Sequence, residues 1–219
     1  MDSKTEQLNA LFQKWEEQVP KYQGHFVKDG IINEENFQDS NPKILFITKE
    51  PNNPNQDVGE FREWWKEELK YTFSRRIAEW SYGIINHFPI FDQILSDNEA
   101  KINALQQIAF MNVKKIGGGG SSEYERISKH IKMNYDFIHD EIRIIDPDII
   151  ILGISWKEIR TELFPDLKDK WIKSGYDIAI ARFKKAKVID FYHPSSRTAP
   201  ASSYSLLQNI INSSAFKSL

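Results

Sequence analysis

Glu50, Asn112 and His193 lie far apart in the chain, yet each stands at or just beyond the end of a short apolar run. Glu50 follows Lys43-Ile-Leu-Phe-Ile-Thr48, Asn112 falls within the run from Ile108 to Val113, and His193 follows residues 186–191. Together they offer a carboxylate that is ionised at neutral pH, a side-chain amide with both donor and acceptor, and an imidazole able to donate one proton. Such a set suits a reaction that develops positive charge at one atom and negative charge at another, with a planar polar group held between. Each residue also has a plainer reading. Glu50 can cap the segment after it, Asn112 can serve a strand-end turn, and His193 can hydrogen-bond backbone.

The chain has 219 residues, 40% hydrophobic, enough to bury a substantial core in one domain spanning residues 1–219. Its lack of cysteine excludes thiolate nucleophiles, disulfides, zinc ribbons and iron–sulfur clusters, so any catalysis must use oxygen and nitrogen side chains. Neither a Gly-x-Ser-x-Gly elbow nor a P-loop is present. His87, His130 and His139 lack partners at ligand spacing, so no metal and no cofactor is expected. The longest apolar run, Ile149 to Ile154, is too short for a bilayer, and the first residues lack an apolar signal core, so a cytoplasmic monomer away from membranes is expected. Residues 1–111 hold 12 Lys+Arg against 18 Asp+Glu and residues 112–219 hold 17 against 13. That imbalance suits a basic face on the second half, or is ordinary scatter of solvated charge.

Helical spacing of Leu8, Leu11, Phe12 and Trp15 predicts a covering helix over residues 5–18, within an N-terminal extension of residues 1–40. Strands are expected at 43–48, 108–113 and 148–153, with one or two more at 176–183 and 186–191. Helices are expected at 60–87, 98–107, 122–144, 155–164 and 201–213. Strands alternating with helices predict an α/β fold, a three-layer α/β/α arrangement with a central, mainly parallel four-stranded sheet. In such sheets the loops after the strands build the site. The run Gly117 to Gly120 breaks the chain; it reads as a place where backbone approaches a ligand, or else as a flexible linker.

Three of these loops carry a resemblance. Ile47-Thr-Lys-Glu-Pro-Asn52 is similar to a strand followed by a short polar segment and proline, Phe110-Met-Asn112 to a strand ending in a base-reading asparagine, and His193-Pro194-Ser195 to a histidine-proline-serine motif. With Asp146-Pro-Asp-Ile-Ile-Ile-Leu-Gly153 between them, their order resembles the uracil-DNA glycosylase superfamily over about residues 41–213, as a divergent branch without an iron–sulfur cluster. The departures are Thr48, where the family usually has glycine, Glu50, where some branches place a catalytic aspartate, and Asn52, where uracil-strict branches place a tyrosine that blocks a 5-methyl group.

The resemblance implies a DNA glycosylase for base-excision repair, one that hydrolyses the N-glycosidic bond of a flipped uracil-like or modified base. Glu50 and His193 would be catalytic, the first beside the cationic sugar and the second donating to the base oxygen. Asn112, Pro51 and Asn52 would hold the base. The candidates to stack on it are Tyr71, Phe73, Trp64, Trp65 and Tyr82. Lys114, Lys115, Gly118, Gly119, Ser121 and Ser122, at the opening of a predicted helix, would grip the DNA backbone, or else form a surface loop with chance lysines. Ser195 joins that DNA-binding set, and Arg197 would wedge into the vacated duplex, contact phosphate or remain solvated. The alternative is a nucleic-acid or nucleotide-binding module of the same fold that does not cleave.

Overall fold

The structure, a computed structural model, describes residues 2–65 and 69–219. Among the described residues nine strands run in chain order: β1 Val27–Lys28, β2 Gly30–Ile31, β3 Ile44–Thr48, β4 Gly59–Glu60, β5 Ile108–Asn112, β6 Ile149–Leu152, β7 Ile172–Lys173, β8 Ala179–Phe183 and β9 Ala186–Asp190. The helices are α1 Lys4–Gln18, α2 Glu34–Asp39, α3 Phe61–Trp64, α4 Thr72–Ile85, α5 Phe91–Leu95, α6 Asn98–Leu105, α7 Tyr124–Met133, α8 Tyr135–Ile145, α9 Lys157–Leu163, α10 Pro200–Asn212 and α11 Ser214–Ser218.

The α/β class follows from how the sheet is covered. Along β3, Leu45 and Ile47 join one buried cluster with α1, α7, α8 and α9, while Ile44 and Phe46 join a second with α4, α5, α6 and α10. Strand side chains alternate between faces, so a strand apolar at every position needs helices on both sides. β5 and β6 repeat the pattern.

Among the described residues the sheet has seven strands in the order β2-β5-β3-β6-β9-β8-β7, which corrects the expected four-stranded sheet. Its middle, β5-β3-β6-β9, is parallel throughout. β2 joins antiparallel to β5, β8 to β9 and β7 to β8. Only Lys184 and Lys185 separate β8 from β9, and a two-residue connection can make a hairpin but no parallel crossover. β2 and β7 have two residues each, too few for a periodic signal.

Helix boundaries were altered by side chains that compete for backbone. The expected helix at 122–144 is α7 and α8, broken at Asn134, whose amide donates to the His130 carbonyl at 2.9 Å and accepts from the Trp15 indole at 2.9 Å. The expected helix at 60–87 is α3 and α4, and its residues 66–68 lie outside the described residues. α1 begins with a capping box between Ser3 and Glu6. Among the described residues no helix is long and apolar enough to cross a membrane.

α4 and α10 meet at Gly83, where an added Cβ would stand 2.6 Å from the Tyr204 ring and 2.8 Å from the Phe88 ring. Gly83→Ala should therefore destabilise the protein by about 1–3 kcal/mol, overpacking outweighing the better helix propensity of alanine. Urea denaturation measures it. A midpoint at or above wild type would mean that the two rings swing aside.

Candidate functional site

The paired strands β3 and β5 do not part where the sheet ends. Val113 N–H donates to the Thr48 carbonyl and Lys114 N–H to Lys49, each at 3.0 Å; farther out Gly118 N–H donates to Pro51 at 2.9 Å and Asn53 N–H to Gly118 at 3.1 Å. The loop after β3 is thus zipped to the loop after β5. Close approach demands small residues there: a Cβ on Gly117 would lie 2.1 Å from the Asn53 carbonyl oxygen, and one on Gly118 2.4 Å from the Glu50 carboxylate. Gly118 is buried against Glu50 and takes no part in lining a cleft. This corrects its place among the DNA contacts: the first half of the glycine run admits the neighbouring loop, not a ligand. Gly119 and Gly120 do face open space.

Above the carboxyl ends of the parallel strands lies a cleft of about 770 Å³, within the range of small-molecule and cofactor sites. Glu50, Asn112 and His193 all line it, with Pro51, Asn52, Gly119, Ser121, Ser122 and Ser195. Three strands whose order in the sequence gives no hint of proximity are brought together by the parallel pairing.

Asn112 is held at two points. Its backbone N–H donates to Asp29 at 2.7 Å, and its side-chain oxygen accepts from the Thr48 hydroxyl at 2.8 Å. Its side-chain nitrogen is buried with no hydrogen-bond partner among the described residues. A buried donor left unpaired costs free energy comparable to a lost hydrogen bond, so this amide is poised for an acceptor on a ligand. The Thr48 hydroxyl thereby fixes which way the amide points.

His193 is half-buried, and the desolvation, together with nearby Lys49, lowers its pKa to about 4. The imidazole is therefore neutral at pH 7. Its Nδ1 accepts the Ser195 N–H at 3.1 Å, which leaves Nε2 to carry the proton and act as donor. The loop carrying it is fastened by Arg76 of α4, which donates to the Thr198 carbonyl at 3.0 Å and the Ser203 hydroxyl at 2.8 Å.

Glu50 is ion-paired with Lys114, their side chains only 3% and 5% exposed. Lys115 points into the core, where it meets Asp29 at 2.5 Å and Glu141 at 2.7 Å with no exposed surface. Burial pushes the Glu141 carboxyl well above its ordinary range, against the pull of Lys115, and adjacent Asp29 pushes it further. The expectation that Lys114 and Lys115 grip phosphate is therefore corrected: both are consumed by buried acids. Ser121 and Ser122 also do not open a helix, because α7 starts at Tyr124 with Glu123 before it. They line the cleft as loop residues. Arg197 is exposed and is not among the lining residues.

Of the aromatic candidates, Trp64, Tyr71 and Phe73 wall the cleft, joined by Phe61 and Phe110. Trp64 stacks between Phe61 at 5.1 Å and Tyr71 at 5.9 Å, and Phe73 meets Phe110 edge-on at 5.7 Å and His193 at 5.8 Å. Trp65 is buried behind them and Tyr82 does not line the cleft. Asp29 and Lys49 were not among the expected site residues, and Thr48 was noted only as a departure from the resembled motif. Adjacency to Glu50 was a signal for Lys49; a lone aspartate 83 residues before Asn112 carried none. Among the described residues no group of three or more His, Cys, Asp or Glu is gathered for a metal ion. No family model matches this chain, and no curated protein does.

An unfolded histidine takes up its proton near pH 6.5, whereas folded His193 resists it until about pH 4. Between those values the unfolded chain binds more protons, so the stability that neutral His193 contributes is complete above 6.5 and lost as pH falls toward 4. His130, lowered to about 3 chiefly by burial, acts in the same direction. NMR titration should find the His193 ring neutral at pH 5.5, and His193→Gln should flatten the fall in urea midpoint between pH 7 and 4.5. An imidazole titrating near 6.5 would contradict this environment.

Proposed function

We propose that the protein is a DNA glycosylase of uracil-DNA glycosylase-like fold, acting as a cytoplasmic monomer in base excision without a cofactor. The observation that carries the reading is the unpaired buried amide of Asn112 in an aromatic-walled cleft shared with a neutral, proton-bearing His193. A planar heterocycle swung out of a strand fits between such rings, and its carbonyl accepts from Asn112. As the C1′–N bond breaks, negative charge gathers on the base, where His193 Nε2–H donates to its oxygen. Glu50 stabilises the cationic sugar or orients the water whose oxygen joins C1′. The exposed Asn52 beside the cleft leaves room for a base larger than uracil.

The Glu50–Lys114 pair favours a second reading, a binding module that recognises the same nucleotide without cleavage, because Lys114 neutralises charge that the sugar would need.

Single-turnover base release from oligonucleotides carrying a panel of modified bases separates the two. On an active substrate, Glu50→Gln and His193→Ala should each slow release about a hundred- to a thousand-fold, roughly 3–4 kcal/mol of transition-state stabilisation, with affinity nearly unchanged. Asn112→Ala should weaken binding in either case. Release at the wild-type rate by both catalytic variants would remove the residue assignment, and no release from any base would select the binding module.

A further inference from the structure

The charges around the cleft do not cancel. Two acids line it, and each is matched by a cation outside the lining: Glu50 by Lys114, and Glu60 by Arg62 at 2.5 Å. Among the described residues that line it, Lys49 is the only lysine or arginine, and its ammonium has no hydrogen bond or ion pair to a described residue. It rests 4.7 Å from the centre of the Trp156 ring, which holds the stem in place and favours the charged form. Burial nevertheless lowers its pKa, opposed by Glu50. A partly desolvated cation without a counter-ion is costly, and an anion entering the cleft would relieve that cost.

Neutral donors share the cleft with it. Ser121 and Ser122 line the opposite loop, and neither hydroxyl has a hydrogen bond to a described residue. Gly119 and Gly120 beside them have open space where side chains would otherwise stand.

We propose that Lys49, with the loop 119–122, binds a phosphodiester of a nucleic-acid strand next to the nucleotide whose base enters the cleft. This rests on the reading of the cleft as a nucleotide site and names the cation that meets the strand's backbone there. Lys49 takes the role for which Lys114 and Lys115 are unavailable.

The test uses a single-stranded oligonucleotide with one tetrahydrofuran abasic-site analogue, whose lack of a base makes its binding independent of Asn112. Affinity is measured against salt concentration for wild type, Lys49→Gln and Lys49→Arg, with thermal melting to confirm folding. One phosphate contact corresponds to about 0.7 in the log–log salt slope for a single strand. Lys49→Gln should lose about that much slope and on the order of ten-fold in affinity at low salt, while Lys49→Arg retains both. Equal slopes for wild type and Lys49→Gln, or wild-type binding that ignores salt, would overturn the proposal. Should Lys49→Gln fail to fold, a Lys49→Arg protein that folds without binding the probe would equally count against it. Base release and Asn112→Ala report on the base-reading proposal separately, so either can fail while the other stands.

Discussion

Everything the cleft offers depends on the backbone pairing of β3 with β5 continuing past the edge of the sheet. Within the sheet those bonds are ordinary parallel ladder bonds; beyond it they join two loops that would otherwise be free to move apart. Once joined, they place Glu50 against Lys114 and the Thr48 hydroxyl against Asn112. The close approach is possible only because Gly117 and Gly118 have no side chains. Loops fixed in this way give the precision of secondary structure to residues outside it.

Beneath the zipped loops lies a second constraint, the enclosed group of Asp29, Lys115 and Glu141. Two carboxylates share one ammonium, and burial, with Asp29 close by, pushes the Glu141 carboxyl well above its ordinary range against the pull of Lys115. Asp29 then has a lysine on one oxygen and the backbone of Asn112 on the other. A buried charged group of this kind is weak evidence for stability, but removing one member leaves the others uncompensated. Its structural consequence is that Asn112 cannot shift without disturbing three ionisable groups. The amide facing the cleft is thereby held still from behind.

The legible and illegible parts of the site divide by how far a signal reaches along the chain. Ile44–Thr48, Ile108–Asn112 and Ile149–Leu152 were readable as buried strands because apolar runs of that length carry their own signal. The residues after them were readable as a site because parallel sheets put their loops at one end. The two-residue strands β2 and β7 were not readable, and neither was the break at Asn134, which depends on Trp15, 119 residues away. Lys114 and Lys115 show the limit most clearly. A lysine pair beside glycines and serines has the composition of a phosphate grip, and nothing local distinguishes it from two buried ion pairs.

The sequence by itself determined the α/β class, the order of the central elements and the candidacy of Glu50, Asn112 and His193, because periodicity and strand-end position are properties of neighbouring residues. Tertiary structure alone decided the protonation and freedom of those groups. His193 is neutral because burial and Lys49 disfavour its charge, and Asn112 presents a donor because Thr48 occupies its acceptor. Among the described residues Lys49 has no ion pair, because Lys114 holds Glu50 across 64 residues of chain. Charge and hydrogen-bond capacity are settled between groups in space, and the strands that bring these groups together are separated by entire helices in the sequence.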